Sequence, residues 1–203
     1  MPISDCEVRD PRIRRTRQLL QGALKQLMDQ KPFDEISVQD ITEAATVNRA
    51  TFYDHYNDKF ALLDALVAGG FHKLLHERNV IYDGTCPTAA RAIVLATCDY
   101  FVESRSSHSE CERQGAFEPL MDAAIAAAIR RVLIEGMKKS GVAPEEVVNI
   151  SATAASWTVC GAVKEWFSQA DRLPAEELVP LVLRLILPSL QPELTQAEPL
   201  LHG

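Results

Sequence analysis

No stretch of this sequence approaches the ~20 apolar residues that a membrane-spanning helix needs. Runs such as Leu181 to Leu187 stop far short of it, and Met1 to Arg17 is charged where a signal peptide carries its apolar core. A cytoplasmic protein with no membrane partner is expected. Cysteine is sparse and unpaired: Cys6, Cys86, Cys98, Cys111 and Cys160 are odd in number and scattered, with no C-x-x-C spacing for zinc or redox chemistry. Reduced thiols are the default. The cluster His108, Glu110, Cys111, Glu112 offers metal-capable side chains without a helical or hairpin spacing that would aim three of them at one point. It reads as a solvated loop, so no metal and no cofactor are expected. There is no phosphate-cradling glycine loop, no nucleophile–base spacing and no paired carboxylates on a shared helix face, which argues against an enzyme. Strand alternation, internal repeats and low-complexity blocks are also missing, leaving an all-α fold.

What is present suits a globular protein with one sizeable core or two small ones: 203 residues, 47% hydrophobic and 24% charged. The net charge of −7 does not by itself favour nucleic acid as a partner, since phosphate neutralisation supplies much of that affinity. Its distribution is more informative. The first sixty residues are nearly balanced, nine basic against ten acidic, and between Pro11 and Met28 the cations Arg12, Arg14, Arg15, Arg17 and Lys25 meet no acid. A local basic edge exists, while the acidic remainder argues against non-specific coating of nucleic acid.

Apolar spacing divides the chain into helices. Residues 1–11 show no periodicity and read as a mobile N-terminal arm. From Arg12 to about Gln30, Ile13, Leu20, Leu24, Leu27 and Met28 share a stripe that Pro32 ends. Ser37 is a good N-cap for the next helix, with Asp40 in the place of a capping-box Glu. A helix beginning after Asn57 or Asp58 carries Phe60, Leu63, Val67, Phe71 and Leu74, interrupted by Gly69-Gly70. Either it stops at Ala68 and a new helix starts, or it continues as a bendable one. After a loop at 79–87, periodicity resumes over Thr88 to about Ser104, Glu118 to Ser140, from Pro144 to about Ala170, and from Leu173-Pro174 to Pro188. Pro180 inside the last pattern calls for a kink or a late start near Val179. Residues 191–203 read as a tail.

Val38 to Lys59, VQDITEAATVNRATFYDHYNDK, is the stretch that points to a function. It reads as two short helices joined by a tight turn and followed by the start of a third. Val38, Ile41, Ala45, Val47 and Phe52 supply a buried face, while Asn48, Arg49, Thr51, Tyr53 and His55 leave polar groups on the helix after the turn. Such a helix fits the major groove. The planar fork of Arg49 suits guanine O6 and N7, with a phosphate contact or a carboxylate pair as the competing reading. Thr51 suits a thymine methyl or a phosphate, and Asn48 either caps the helix or reads a base. Asp54 and Asp58 repel phosphates and should point away.

This segment resembles the N-terminal domain of the TetR family of transcriptional regulators. The likeness is carried by Ile41, Ala45 and Val47, by the run Arg49, Ala50, Thr51, Phe52, Tyr53, Asp54, His55, Tyr56, and by Lys59. Thr42 departs from the family's usual Ala, and Thr46 from its usual turn Gly, where a β-branched residue at positive φ is strained. The resemblance implies a three-helix head over residues 12–59 and a larger helical domain over 60–190. It assigns Tyr53 and Lys59 to positions that grip the DNA backbone. His55 and Tyr56 share that job, Tyr56 also packing inside the head. With Ser37 and Thr46 these complete the DNA-contact set Ser37, Thr46, Asn48, Arg49, Thr51, Tyr53, His55, Tyr56 and Lys59.

Past Ala68 the resemblance weakens. The run Ala152 to Phe167, ATAASWTVCGAVKEWF, together with the final helix looks like the family's pair that packs against a second copy. Trp157, Gly161, Lys164, Val182, Leu185 and Ile186 are the interface candidates, although as ordinary monomer core they need no partner. The intervening helices would hold a small-molecule effector, with His72, Cys98, Phe101, Phe117, Met121 and Ile125 as lining candidates. The expected function is a ligand-responsive repressor, a homodimer on a palindromic double-stranded operator. The alternative is a helical ligand- or protein-binding module that no longer reads DNA.

Overall fold

The computed structural model describes residues 10–78, 86–106, 117–141 and 143–190. Outside them lie the arm to residue 9, most of the loop at 79–87, the cluster at 108–112, the side chain of Phe117 and the tail from Gln191. Among the described residues every regular element is helical. In chain order these are α1 (Pro11–Met28), a 3₁₀ turn (Phe33–Glu35), α2 (Val38–Ala45), α3 (Arg49–His55), α4 (Lys59–Glu77), α5 (Pro87–Ser106), α6 (Phe117–Ser140), α7 (Glu145–Ser168) and α8 (Ala175–Leu190). An all-α fold is what the missing strand pattern predicted.

The chain divides into two compact units. The first holds α1 to α3, α4 as far as His72, α5 from Glu103 and α6 as far as Ile125; the second holds the remainder of α4 to α6 with α7 and α8. α4 runs through Gly69-Gly70 without a break, so of the two readings left open the continuous helix holds.

In the first unit, α1 starts one residue earlier than the apolar stripe predicted, because Pro11 takes the first helical position and the Asp10 side chain accepts from the Arg12 N–H at 2.8 Å. Leu20, Ala23, Leu24 and Met28 form its buried face, while Ile13 stays 38% exposed. α2 opens on a full capping box. The Asp40 N–H donates to Ser37 Oγ, and the Ser37 N–H and hydroxyl both donate to Asp40 Oδ2 at 2.7 Å. Lys31 adds an ion pair to the same carboxylate at 2.9 Å. These bonds, led by the Ser37 N–H, hold the Asp40 carboxyl well below the usual carboxylate range. Its contribution to folding is therefore complete above the ordinary carboxylate pKa and fades only as pH falls below about 4.

α2 ends in a Schellman motif: Thr46 N–H donates to the Glu43 carbonyl at 3.1 Å and Val47 N–H to the Thr42 carbonyl at 3.0 Å. That geometry requires a left-handed residue, and Thr46 supplies it at φ 55°, ψ 43°, the one non-glycine positive φ among the described residues. Thr42 is buried, and its hydroxyl donates to the Gln39 carbonyl.

The second unit is held by contacts of mixed kind. The Phe101 and Phe167 rings lie 6.3 Å apart, and the Arg130 guanidinium donates to Thr153 Oγ1 at 2.8 Å and Asn149 Oδ1 at 3.1 Å. Gly141, at φ 64°, turns the chain out of α6, and Lys138 pairs with Glu145 across that turn at 2.7 Å. α7 and α8 pack against each other. α8 begins at Ala175 and carries Pro180 inside, which excludes the late start near Val179, and it continues beyond Pro188, where the apolar pattern was expected to stop, to Leu190. Buried Leu178, Val179, Val182, Ile186 and Leu190 bracket both prolines, so burial of that stripe outweighs the lost helical bonds.

A left-handed β-branched residue costs roughly 1–2 kcal/mol. Thr46→Gly should therefore raise the chemical denaturation midpoint, by roughly 1 kcal/mol after glycine's greater unfolded entropy is subtracted. An unchanged or lower midpoint would contradict the strain reading.

Candidate nucleic-acid interface

α3 is seven residues long and is positioned by its buried side. Phe52 is fully buried, with its ring 5.4 Å from Tyr53 and 6.0 Å from Tyr56 in edge-on or tilted contact. Asn48 caps the helix, its Oδ1 accepting from the Ala50 N–H at 2.8 Å. Of the two roles open to Asn48, the structure places the carbonyl oxygen in the cap, which leaves its NH₂ group outside that bond.

The opposite side of α3 is open. Arg49 and Tyr53, one turn apart, are both exposed, and the guanidinium lies 5.7 Å from the tyrosine ring centre while Nη2 donates to Tyr53 Oη at 3.3 Å. A cation and a phenol hydroxyl thus share one short outward ridge. Thr51 and His55 are half-buried beside it, Thr46 is exposed at the turn, and Asp54 is exposed as well. The ridge can donate to base edges and phosphates without reorganising the core beneath it.

Of the two roles given to Tyr56 the inward packing is the one seen, and two further predicted contacts, Ser37 and Lys59, sit differently. Tyr56 is 4% exposed: its ring packs inside the head under the Arg17 guanidinium at 5.8 Å, and its hydroxyl accepts from Gln21 Nε2 at 3.2 Å. The i, i+4 spacing from Phe52 carries it inward. The Ser37 hydroxyl is committed in both directions to Asp40, whose charge also faces the first amides of α2. Lys59 turns its ammonium back onto the carbonyls of Phe33, Asp34 and Ile36 at 2.9, 3.1 and 2.8 Å. Spacing alone could not reveal that internal use, because it depends on where the 3₁₀ turn points its carbonyls.

The other candidates lie elsewhere. His72, Met121 and Ile125 belong to the first unit and Cys98 and Phe101 to the second; His72 and Met121 are half-buried and the other three buried. Burial raises the Cys98 thiol to about 12, with the neighbouring Asp99 adding to the shift. In the second unit Trp157, Gly161 and Leu185 are exposed and Lys164 half-exposed, whereas Val182 and Ile186 are buried within the single chain. Ile150, 70% exposed, was not among the candidates. Its spacing with Ala154, Trp157, Gly161 and Lys164 is the heptad signal that could have found it. Among the described residues, no group of three or more His, Cys, Asp or Glu could hold a metal ion, and no helix is long and apolar enough to cross a membrane.

Two short helices joined by a left-handed turn, the second with an exposed cationic ridge, define a helix-turn-helix head. Residues 19–66 match the model of the bacterial regulatory proteins of the tetR family, so the head is similar to the N-terminal domain of that family. Over 59 residues it is 42% identical to an uncharacterized HTH-type transcriptional regulator, YxbF, of Bacillus subtilis strain 168, a match covering 29% of this chain and 16% of that protein. Over 67 residues it is 30% identical to the HTH-type dhaKLM operon transcriptional activator DhaS of Lactococcus lactis subsp. lactis strain IL1403, covering 33% of this chain and 36% of that one. The matches thus span well under two thirds of either relative. A TetR transcriptional regulator from Streptococcus agalactiae 2603V shares the fold, with a TM-score of 0.50 at 20% identity over 89% of this chain and 98% of that one.

At pH 8 a thiol raised to about 12 is thiolate in roughly one molecule in 10⁴. Cys98 should therefore resist iodoacetamide in the native protein and react fully in denaturant, as read by peptide mass. Rapid native alkylation of Cys98 would contradict its burial.

Proposed function

We propose that this protein is a sequence-specific DNA-binding transcription regulator, a ligand-responsive repressor that acts as a homodimer on a palindromic operator. The observation that carries the reading is the exposed Arg49–Tyr53 ridge on a helix anchored from behind by Phe52. Arg49 donates to a guanine edge, Tyr53 and His55 to the backbone, and Thr46, Asn48 and Thr51 flank them. One such helix covers only a few base pairs, so a pair of heads on a symmetric site multiplies discrimination.

The exposed face of α7 and α8 supports pairing with a second copy. Trp157 is 51% exposed and Leu185 65% exposed, a combination that water disfavours over a contiguous apolar area. Gly161 lies on the same face, and a Cβ built there meets no atom within 4 Å. A mid-helix glycine costs about 1 kcal/mol relative to alanine. With no reason for it inside the chain, close approach of a partner helix is the reading. Val182 and Ile186 serve instead to hold α8 to its own unit.

Effector response is assigned to α4, which starts at the head and passes through two glycines. An effector that binds more tightly to one bend of α4 shifts the spacing of the paired heads by that difference in affinity, no more. Repression is the family's usual mode. DhaS is named an activator, and a promoter fusion scored with and without the protein decides between the two.

Purified protein should bind duplex DNA from upstream of its own coding region more tightly than scrambled duplex. Arg49→Ala should cost about 1–3 kcal/mol and relax sequence preference, while Tyr53→Phe should weaken all duplexes alike. Equal, weak binding to both duplexes, unchanged by either substitution, would sink operator reading for that region. In sedimentation, Trp157→Glu should shift the protein from dimer to monomer while it remains folded; an unaltered dimer would move the interface away from α7.

A further inference from the structure

We infer that Lys59 is a positioning residue that ties the first residue of α4 to the turn before α2, rather than a cation held out to DNA. An ammonium has three N–H donors. Here they meet three backbone carbonyls, those of Phe33, Asp34 and Ile36, at 2.9, 3.1 and 2.8 Å. The charge also sits 4.7 Å from the centre of the Phe33 ring and 5.7 Å from that of Phe60, and those two rings meet edge-on at 5.6 Å. A phosphate would have to compete with every one of these contacts.

The end of α4 beside it argues in the same direction. The Asp58 carboxylate accepts from the Ala61 N–H at 2.8 Å, so the positive end of the helix dipole already holds an anion. Phosphate at that point meets a carboxylate of like charge.

The bonds that Lys59 makes have a mechanical consequence. Two of its three carbonyls belong to the 3₁₀ turn and the third to Ile36 just after it; the turn's own bonds run from the Glu35 N–H to the Pro32 carbonyl and from the Ile36 N–H to the Phe33 carbonyl. Ser37 follows at once and opens the capping box on Asp40, which Lys31 holds from the other side. From there the chain passes through α2 and its Schellman turn into α3. Lys59 thus joins the first turn of α4 to the start of α2, and a shift of that turn carries α2 and α3 with it. The contact-making helix moves with α4 instead of swivelling on it.

The test compares Lys59→Met and Lys59→Arg with the native full-length chain in two measurements. One arm of it rests on the DNA-binding proposal. The first measurement is hydrogen exchange of the Ile36, Asp40 and Ile41 amides. The second is binding to a mixed-sequence duplex of about 30 base pairs over a salt series, where phosphate contacts set the slope whatever the operator.

Both variants should exchange those three amides at least about tenfold faster, because the planar fork of arginine cannot converge on three carbonyls as an ammonium does. Both should lose duplex affinity by a similar factor with salt slopes parallel to the native protein's. The inference is overturned if exchange is unchanged, or if the Lys59→Met slope falls by about 0.9 while Lys59→Arg binds as the native chain does. Should Lys59→Met fail to fold, Lys59→Arg decides alone, since arginine serves a phosphate at least as well as lysine. A native protein that fails to bind duplex even at low salt removes the regulator reading and leaves exchange to decide the role of Lys59.

Discussion

Burial of Phe52 is the interaction on which the helix-turn-helix head depends. α2 and α3 have eight and seven residues, and helices that short do not persist in water on their own hydrogen bonds. They hold here because Phe52 is sealed among apolar neighbours and because each start is capped by a side chain, Ser37 for α2 and Asn48 for α3. Once Phe52 is fixed, helical geometry sends Arg49 and Tyr53 outward and Tyr56 inward. The exposed ridge is therefore a consequence of the core and needs no ordering when DNA arrives.

The same head shows how charge can be used internally, away from a proposed polyanionic partner. Lys31 and Lys59, which a count of cations would assign to phosphate binding, are bonded within the head, Lys31 to Asp40 of α2 and Lys59 to the carbonyls of the turn before it. Asp40 and Asp58, which the same count would hold against DNA binding, cap α2 and α4. Net charge over the first sixty residues says little until these four are removed from it. Among the described residues of that stretch, the cations that remain exposed are Arg49 on α3 and Arg12, Arg14, Arg15 and Lys25 on α1.

Much of this was legible in the sequence for identifiable reasons. The Ser37 and Asp40 pair announced the start of α2, the apolar spacing of Ile41, Ala45 and Phe52 announced the buried side, and Thr46 at the turn announced a strained left-handed residue. Continuity through Gly69-Gly70 was not decidable, because a loss of about 1 kcal/mol per glycine is within what packing restores. Pro188 failed to end the last helix for the same reason, its local cost being outweighed by buried residues on either side. Lys59 could be placed on a helix but not aimed, since its partners lie 23 to 26 residues away in the chain. Val182 and Ile186 could not be separated from Leu185 by hydrophobicity; only the packing of α8 on α7 divides them into inward and outward sets.

The central claim is that α3 enters the major groove by its Arg49–Tyr53 side. Dimethyl sulfate footprinting of guanine N7 on bound operator DNA reads that groove directly. The account predicts protected guanines in two patches, related by the symmetry of the site and separated by about one helical turn or more. Full reactivity of every guanine N7 under saturating protein, with protection confined to minor-groove adenines or absent, would contradict it.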